Sequence, residues 1–595
     1  MKIKQKNLIS IFFVILLCLI FTFPIIFKMS SHIYGSLYGT DIEGGLYPFW
    51  YFDYAISHDI NPDNVVMSNH PFGYKMSSIP DNLWINIVRL TTIVTNDIFA
   101  FNAFILLSFI LSGIFSFYLV LELTKSRLAA LFAAIIYTFC PYHFNKAWEH
   151  MGLVSVQWFP LYFWMLLRLY FIRNKKYVLL TGFSLFLIIS FDFYYAYFAF
   201  LTTFGILIFL LINDFFVKKQ ERKKYLIKNL HFALLVSVAC IFSLVLFSPF
   251  LVPLIKKLFF MPKTGLNEDM FIRPLSDLFF QSARPLSYLL PSTANPVIGK
   301  ITEIFKGTIF YGRATIEHTL YVGWTSIILL IFFFRNIKRK MLIFESEEDK
   351  FYIRFFTFIL IFSFLFSMPP YFNFGIFKLY MPSFFMYKLL PMFRAYARIG
   401  IIVMLAVSVL AGFALKYLLN RFKTRVKRVL LASIFIGFSL FEFNNIPPFH
   451  ITDISKAPAV YEWLGVQEGD FVIAEYPMSS YLEHQDYGFN QRYHLKKMVN
   501  GAIPGSPGWD LKKQIIKITD HKTAGILKYI GVKYVIMHLD RYVRGEDKEA
   551  VDIIGEVPNL KENKGFKLVK SFDNIDIFEV TAKPIKIDIV KENND

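Results

Sequence analysis

The chain has 595 residues, of which 55% are hydrophobic and 19% aromatic, a formal net charge of +19 and a mean hydropathy of +0.47. That is too apolar for an ordinary soluble protein of this length. Nucleic acid is excluded as the reason for the charge, because the basic residues are scattered among short loops between apolar runs. Cys18, Cys140 and Cys240 lie in or beside such runs, so the polar segments carry no disulfide framework. This suits a prokaryotic envelope protein, and the abundance of Phe, Ile, Lys and Asn suits an AT-rich bacterial genome.

Apolar runs occur near 8–27, 98–120, 128–142, 152–172, 177–192, 194–212, 231–254, 319–335, 352–368, 399–419 and 429–444. Crossing a ~30 Å hydrocarbon core takes about 20 such residues, so the runs predict a polytopic α-helical membrane protein of about 11 transmembrane helices. The first run is longer than a signal h-region and lacks a small-residue cleavage site, so it reads as a retained anchor. Lys2, Lys4 and Lys6 precede it, and basic residues recur at Lys125/Arg127, Arg173 to Lys176, Lys218 to Lys228, Arg335 to Lys340 and Arg421 to Arg428. These fall on one side, which is cytoplasmic by the positive-inside rule. The N-terminus is then inside and the C-terminus outside, in a multi-pass plasma membrane.

The first outer loop, residues 28–97, opens with Tyr38-Gly-Thr-Asp41-Ile-Glu43-Gly-Gly45. Two carboxylates one residue apart can share a proton or hold a divalent cation, and charges beside a bilayer tend to persist where they have a task. Behind them come Tyr47-Pro-Phe-Trp-Tyr-Phe-Asp-Tyr54 and Asn69-His70-Pro-Phe-Gly-Tyr74, which predict one or two short interfacial helices. The next outer connection, Pro141 to His150, places His143 and His150 seven residues apart, on one face of a helix, with Glu149 adjacent. Asp192 follows among four aromatic residues. A long fourth outer loop, 256–318, carries Arg273, Arg284, Arg313, Glu317 and His318, and a fifth, 369–398, ends in Arg394 and Arg398.

The spans and loops make up residues 1–449, and from about 450 the pattern becomes that of a soluble α/β domain, 450–595. Strands are expected at 471–476, 533–538 and 574–580, helices at 458–464 and 511–518. On the topology above this domain is extracytoplasmic. No Walker, dinucleotide-binding, zinc or G-x-S-x-G motif is present, so an activated substrate would not come from the nucleotide pool inside the cell.

Many spans, an acidic motif heading a long first outer loop and an external C-terminal domain together resemble the GT-C superfamily of membrane glycosyltransferases. In sequence the resemblance is specific at Thr40-Asp41-Ile42-Glu43. It implies transfer of a hexose or pentose from a polyprenyl-phosphate donor to an envelope glycan, lipid, teichoic acid or protein on the outer face. Asp41 is then the base that deprotonates the acceptor hydroxyl, with Glu43 its helper or a ligand if Mg or Mn assists. Arg394 and Arg398, then Arg284 and Arg313, suit the donor phosphate, whose oxygens match the guanidinium fork. His70, His143, His150 and Asp192 rank lower as substrate contacts. Trp509-Asp510 is similar to the acceptor-binding tryptophan–aspartate motif of oligosaccharyltransferases, with Gly508 where a second tryptophan is expected. A lipid-linked sugar transporter or flippase, a polysaccharide polymerase and a non-catalytic envelope assembly factor are the alternatives.

Overall fold

The structure, a computed structural model, describes residues 2–35, 41–76, 91–92, 94–215, 222–260, 274–312, 315–339, 341, 344–444, 451–478, 481–503, 506–544 and 557–587. Its contacts divide the chain into two compact units. One comprises Met1–Phe27, Asn102–Met261 and Met270–His450; the other comprises Lys28–Phe101, Pro262–Asp269 and Ile451–Asp595.

The first unit is helical. It holds α1 (Lys2–Phe21), most of α3 (Asp97–Thr124), α4 (Arg127–Thr138), α5 (Pro141–Glu149), α6 (Trp158–Ile172), α7 (Lys175–Phe191), α8 (Phe193–Phe215) and α9 (Arg222–Phe260). After the fourth connection come α10 (Leu275–Phe280), α11 (Trp324–Lys338), α12 (Glu347–Ser367), α13 (Pro382–Leu389), α14 (Gly400–Leu419) and α15 (Arg425–Glu442). Local chemistry sets several boundaries. Ser126, Asn174 and Ser346 accept backbone N–H groups at the starts of α4, α7 and α12, and Glu347, Glu348 and Asp349 complement the dipole of α12.

Each apolar run of the sequence overlaps a helix, but six helical stretches among the described residues are long and apolar enough to cross a membrane. They are Asp97–Thr124, Arg127–Glu149, Phe193–Asn213, Lys223–Pro249, Glu347–Ser367 and Tyr396–Leu419, with Asn7–Phe21 and Trp158–Ile172 shorter. The difference from the expected 11 lies in short or charged helices: α11 has 15 residues, α7 has 17, and α15 contains Arg425, Lys427, Arg428 and Glu442. The chain is a polytopic helical membrane protein. The most completely buried of these stretches contains α14, which packs against α4, α11 and α12. A Cβ at Gly412 would stand 2.9 Å from Val120 Cγ1, so the missing side chain permits that close helix approach.

The second unit contains a five-stranded mixed sheet in the order β10-β11-β9-β7-β8. Its strands are β7 (Val472–Tyr476), β8 (Lys497–Met498), β9 (Val532–His538), β10 (Phe566–Phe572) and β11 (Ile575–Val580), with β7, β8 and β9 parallel. Helices α16 (Ala459–Gly465), α17 (Tyr481–His494), α18 (Pro507–Ile515), α19 (Thr523–Tyr529) and α20 (Leu539–Arg544) surround it. β7 is buried at every position, as its unbroken Val-Ile-Ala-Glu-Tyr run requires.

The sequence-based division at 449/450 left residues 28–97 with the spans, whereas the contacts group 28–101 with the sheet. Helix α2 (Ile42–Ser57) packs on α17, and β1 (His32–Tyr34) pairs with β6 (Ile451–Asp453). Beyond α2, β2 (Asn64–Val65) pairs with β3 (Tyr74–Lys75). The aromatic stretch therefore supplies a small core of Tyr47, Tyr51, Ala55, Val65, Met67 and Met76 rather than an interfacial layer.

Candidate functional site

The candidate residues are shared between the two units. Arg284, Arg394, Arg398, His143, His150 and Asp192 belong to the helical unit; Asp41, Glu43, His70, Trp509 and Asp510 belong to the other. Arg313, Arg273 and Thr40 lie outside the described residues.

In the helical unit, Arg398 stands just before α14 and donates to Glu317 Oε1 from Nε at 3.0 Å and Nη2 at 2.8 Å. Lys146 of α5 places Nζ 3.4 Å from Glu317 Oε2, with its side chain fully buried. Burial alone would raise the Glu317 carboxyl, but Arg398 and Lys146 outweigh it and hold it below the ordinary carboxylate range. The Arg398 guanidinium also lies 4.6 Å from the Tyr194 ring centre. Arg394 is likewise engaged, donating from Nη1 to Asp277 Oδ2 at 2.7 Å, with both side chains about 29% exposed.

Arg284 differs. Its Nη2 donates to the Phe279 carbonyl at 2.9 Å and its buried Nε has no hydrogen-bond partner. Burial pulls its guanidinium below the ordinary value, and no carboxylate among the described residues offsets this. It lines an open recess of about 300 Å³ with Ser276, Phe279, Thr308, Gly312 and His318. His318, buried, has Nε2 2.9 Å from the Ser282 carbonyl, and burial followed by Arg284 lowers its pKa to about 4. Among the described residues the recess thus carries one positive charge without a facing carboxylate, which suits an anion.

The lower-ranked residues of this unit serve packing. His143 is fully buried in a hydrogen-bonded set with Ser108 Oγ at 3.1 Å and the Thr138 carbonyl at 2.9 Å, stacked on Phe109. Asp192 Oδ1 accepts the Tyr195 N–H at 2.8 Å and so caps α8. Half-buried His150 bears electrostatically on Glu317. The sequence reading passed over Lys146 and Glu317 as site residues. A lysine inside an otherwise apolar helical stretch was the available signal, since such a charge requires a partner.

In the second unit, Asp41 sits half-buried immediately before α2, where its carbonyl accepts the Gly45 N–H at 3.0 Å. Its carboxylate makes no capping bond to that helix. Glu43, two residues on, is 4% exposed. Burial, then the Asp486 carboxylate, raises its pKa to about 9, and the two carboxyl groups are hydrogen-bonded. Arg541 pairs with Asp486. Glu43 thus faces a second carboxyl group, and no step below is routed through a metal. Among the described residues no group of three or more His, Cys, Asp or Glu side chains is arranged to hold one.

His70 binds the Ile530 carbonyl at 3.1 Å through Nε2, tying the first loop to the sheet unit. Trp509 lies in α18 under Lys512, 4.6 Å from its ring, while exposed Asp510 pairs with Lys513 at 3.1 Å. Gly508 is filled from outside: a Cβ there would meet Asn69 Oδ1 at 1.9 Å, so no tryptophan fits.

No protein-family profile matches the chain, and no curated protein matches it in sequence. Solved structures match it in fold. The oligosaccharyltransferase AglB from Archaeoglobus fulgidus, in complex with an inhibitory peptide and a dolichol-phosphate, superimposes with a TM-score of 0.51 at 11% identity, over 95% of this chain and 73% of that one. ArnT from Cupriavidus metallidurans, bound to undecaprenyl phosphate, gives 0.50 at 12% identity over 98% and 99%. Both are GT-C glycosyltransferases. The fold of this chain is that of the GT-C membrane glycosyltransferases.

Proposed function

We propose that the protein is an integral-membrane glycosyltransferase that moves a sugar from a polyprenyl-phosphate donor to an envelope acceptor on the outer face of the membrane. One observation carries this reading: proteins sharing the fold over nearly the whole chain hold a dolichol-phosphate and an undecaprenyl phosphate. The uncompensated charge of Arg284 agrees with a phosphate-bearing ligand.

Asp41 is assigned the base. It takes the proton of the acceptor hydroxyl as that oxygen bonds to the anomeric carbon. The bond from the anomeric carbon to the phosphate oxygen breaks, and the electron pair leaves with the lipid phosphate. Arg284, which meets no carboxylate among the described residues, is assigned to the phosphate-bearing ligand. Arg394 and Arg398 are already matched by Asp277 and Glu317, so their part is to hold the elements they bridge. Glu43, neutral beside Asp486, is not assigned proton abstraction.

The test is transfer from radiolabelled polyprenyl-phosphate sugars to a crude envelope acceptor fraction by the purified protein in proteoliposomes. Wild type is expected to transfer label and folded Asp41→Asn to lose at least about 100-fold, the scale of a missing general base. Equal transfer by Asp41→Asn removes Asp41 from the chemistry. Absence of transfer by wild type with every donor, together with movement of intact lipid-linked sugar across the membrane, would replace the reading by a transporter.

A further inference from the structure

Asp41 is only as well placed as the helix it precedes, and α2 is held by an unusually complete set of polar contacts. Tyr47 of α2 lies 3.0 Å from Ser68 Oγ, whose own proton goes to Gln491 Oε1 at 2.8 Å, so Tyr47 is the donor. Gln491 of α17 is fully buried, and its amide nitrogen donates back to the Met67 carbonyl at 2.7 Å and the Lys496 carbonyl at 3.1 Å. One side chain thus uses both ends of its amide to fix the first loop against α17.

The neighbouring backbone continues the attachment. Met498 N–H donates to the Met67 carbonyl at 2.8 Å, His70 N–H to the Met498 carbonyl at 3.0 Å, and Asn69 N–H to the Asn500 carbonyl at 2.7 Å. Segment 67–70 therefore runs along β8, at the edge of the sheet. On the opposite side of this lash, the Tyr47 ring rests on Gly488 of α17, where a Cβ would stand 3.4 Å away, and Glu43 meets Asp486. A surface loop needs none of this; a buried amide satisfied at both ends fixes the geometry around it, because breaking either bond strands a buried polar atom.

We infer that α17 of the C-terminal segment is a positioning element for the reaction, with Gln491 its central residue, acting through the chain Tyr47–Ser68–Gln491 to fix α2 and with it the backbone at Asp41. Gln491 touches no substrate in this assignment. The inference rests on the role proposed for Asp41, and it gives the C-terminal sheet a task in catalysis as a scaffold for the first loop.

The experiment compares wild type, Gln491→Leu, the milder Ser68→Ala, and the double variant, all as full-length protein in nanodiscs. Two readouts are taken: amide hydrogen exchange of residues 46–57, and kcat and KM for the lipid-linked donor per folded enzyme. Gln491→Leu is expected to speed exchange in α2 and to lower kcat about tenfold with KM within about twofold, the pattern of a displaced catalytic group. Ser68→Ala should give a smaller loss, and the double variant no more than Gln491→Leu alone, because both break one chain. Unchanged α2 exchange in Gln491→Leu overturns the inference, as does faster exchange with kcat intact, or a loss confined to KM. If wild type transfers no sugar, the function proposed above fails by itself; the exchange arm still decides whether Gln491 holds α2.

Discussion

Arg398 and Arg284 are the same residue type in the same helical unit, both largely removed from water, yet their charges are handled in opposite ways. Arg398 is matched by Glu317, which also meets Lys146. Arg284 has a backbone carbonyl, a lowered histidine and an open recess. A buried cation with a buried anion is a closed structural device; one without an anion carries an unrelieved desolvation penalty, which a ligand can relieve. Residue type nominated both for phosphate, and only the distribution of carboxylates separates them.

The comparison breaks most visibly at Glu317. Replacing it by Ala leaves Lys146 and Arg398 buried without their anion, with an expected loss of about 3–5 kcal/mol in denaturant-induced unfolding of the reconstituted protein. An unchanged midpoint would mean that the cluster is solvated. Arg284→Ala should act in the other direction on stability, leaving it unchanged or higher, while weakening the donor by about 1.5–3 kcal/mol, the scale of a hydrogen bond to a charged group. Donor KM and the unfolding midpoint measured on the same preparation check both signs. If transfer survives Arg284→Ala at unaltered KM, the phosphate is held elsewhere.

Arg394 sharpens the scale from below. Its pair with Asp277 is about 29% exposed on both sides, so Arg394→Ala should cost no more than about 1 kcal/mol.

The sheet unit offers a pH-dependent counterpart. Glu475, fully buried on β7, accepts from Tyr461 at 2.8 Å and lies 2.7 Å from His538 Nε2. Burial raises its carboxyl to about 8 and lowers His538 to about 3, each shift favouring the uncharged form. A proton held above its unfolded-state value stabilises fully below that value and ceases to do so as pH rises through about 8. Above the ordinary histidine value of 6.5, where the opposite dependence of His538 has ended, stability should therefore decline toward mildly alkaline pH, and Glu475→Gln should flatten that decline. An identical slope in the variant would assign the dependence to other groups.

Much of this arrangement was readable in the residues. Apolar length alone located helices at every predicted run, and the uninterrupted Val-Ile-Ala and Val-Ile-Met runs marked β7 and β9. β10 went unread because its alternation is broken by a bulge between Leu568 and Lys570, and β8 is only two residues long. Asp192 reads among aromatic residues as a lower-ranked substrate contact, and the structure shows it accepting the Tyr195 N–H at the start of α8. Asp41 and Glu43 read as base and helper of one acidic motif. A helix start separates them, leaving Asp41 half-buried at the end of a loop and turning Glu43 inward onto Asp486, 443 positions later.

The sequence by itself determined the membrane-spanning character, the helical spans and the residues able to carry acid–base and phosphate chemistry, because hydropathy and ionisable groups are local properties. Tertiary structure alone decided which charges are already satisfied and that the first loop belongs with the sheet. Both depend on contacts such as Arg398–Glu317 and Ser68–Gln491, whose partners lie 81 and 423 residues apart. Electrostatic compensation and burial are set by proximity in space, which no pattern along the chain encodes.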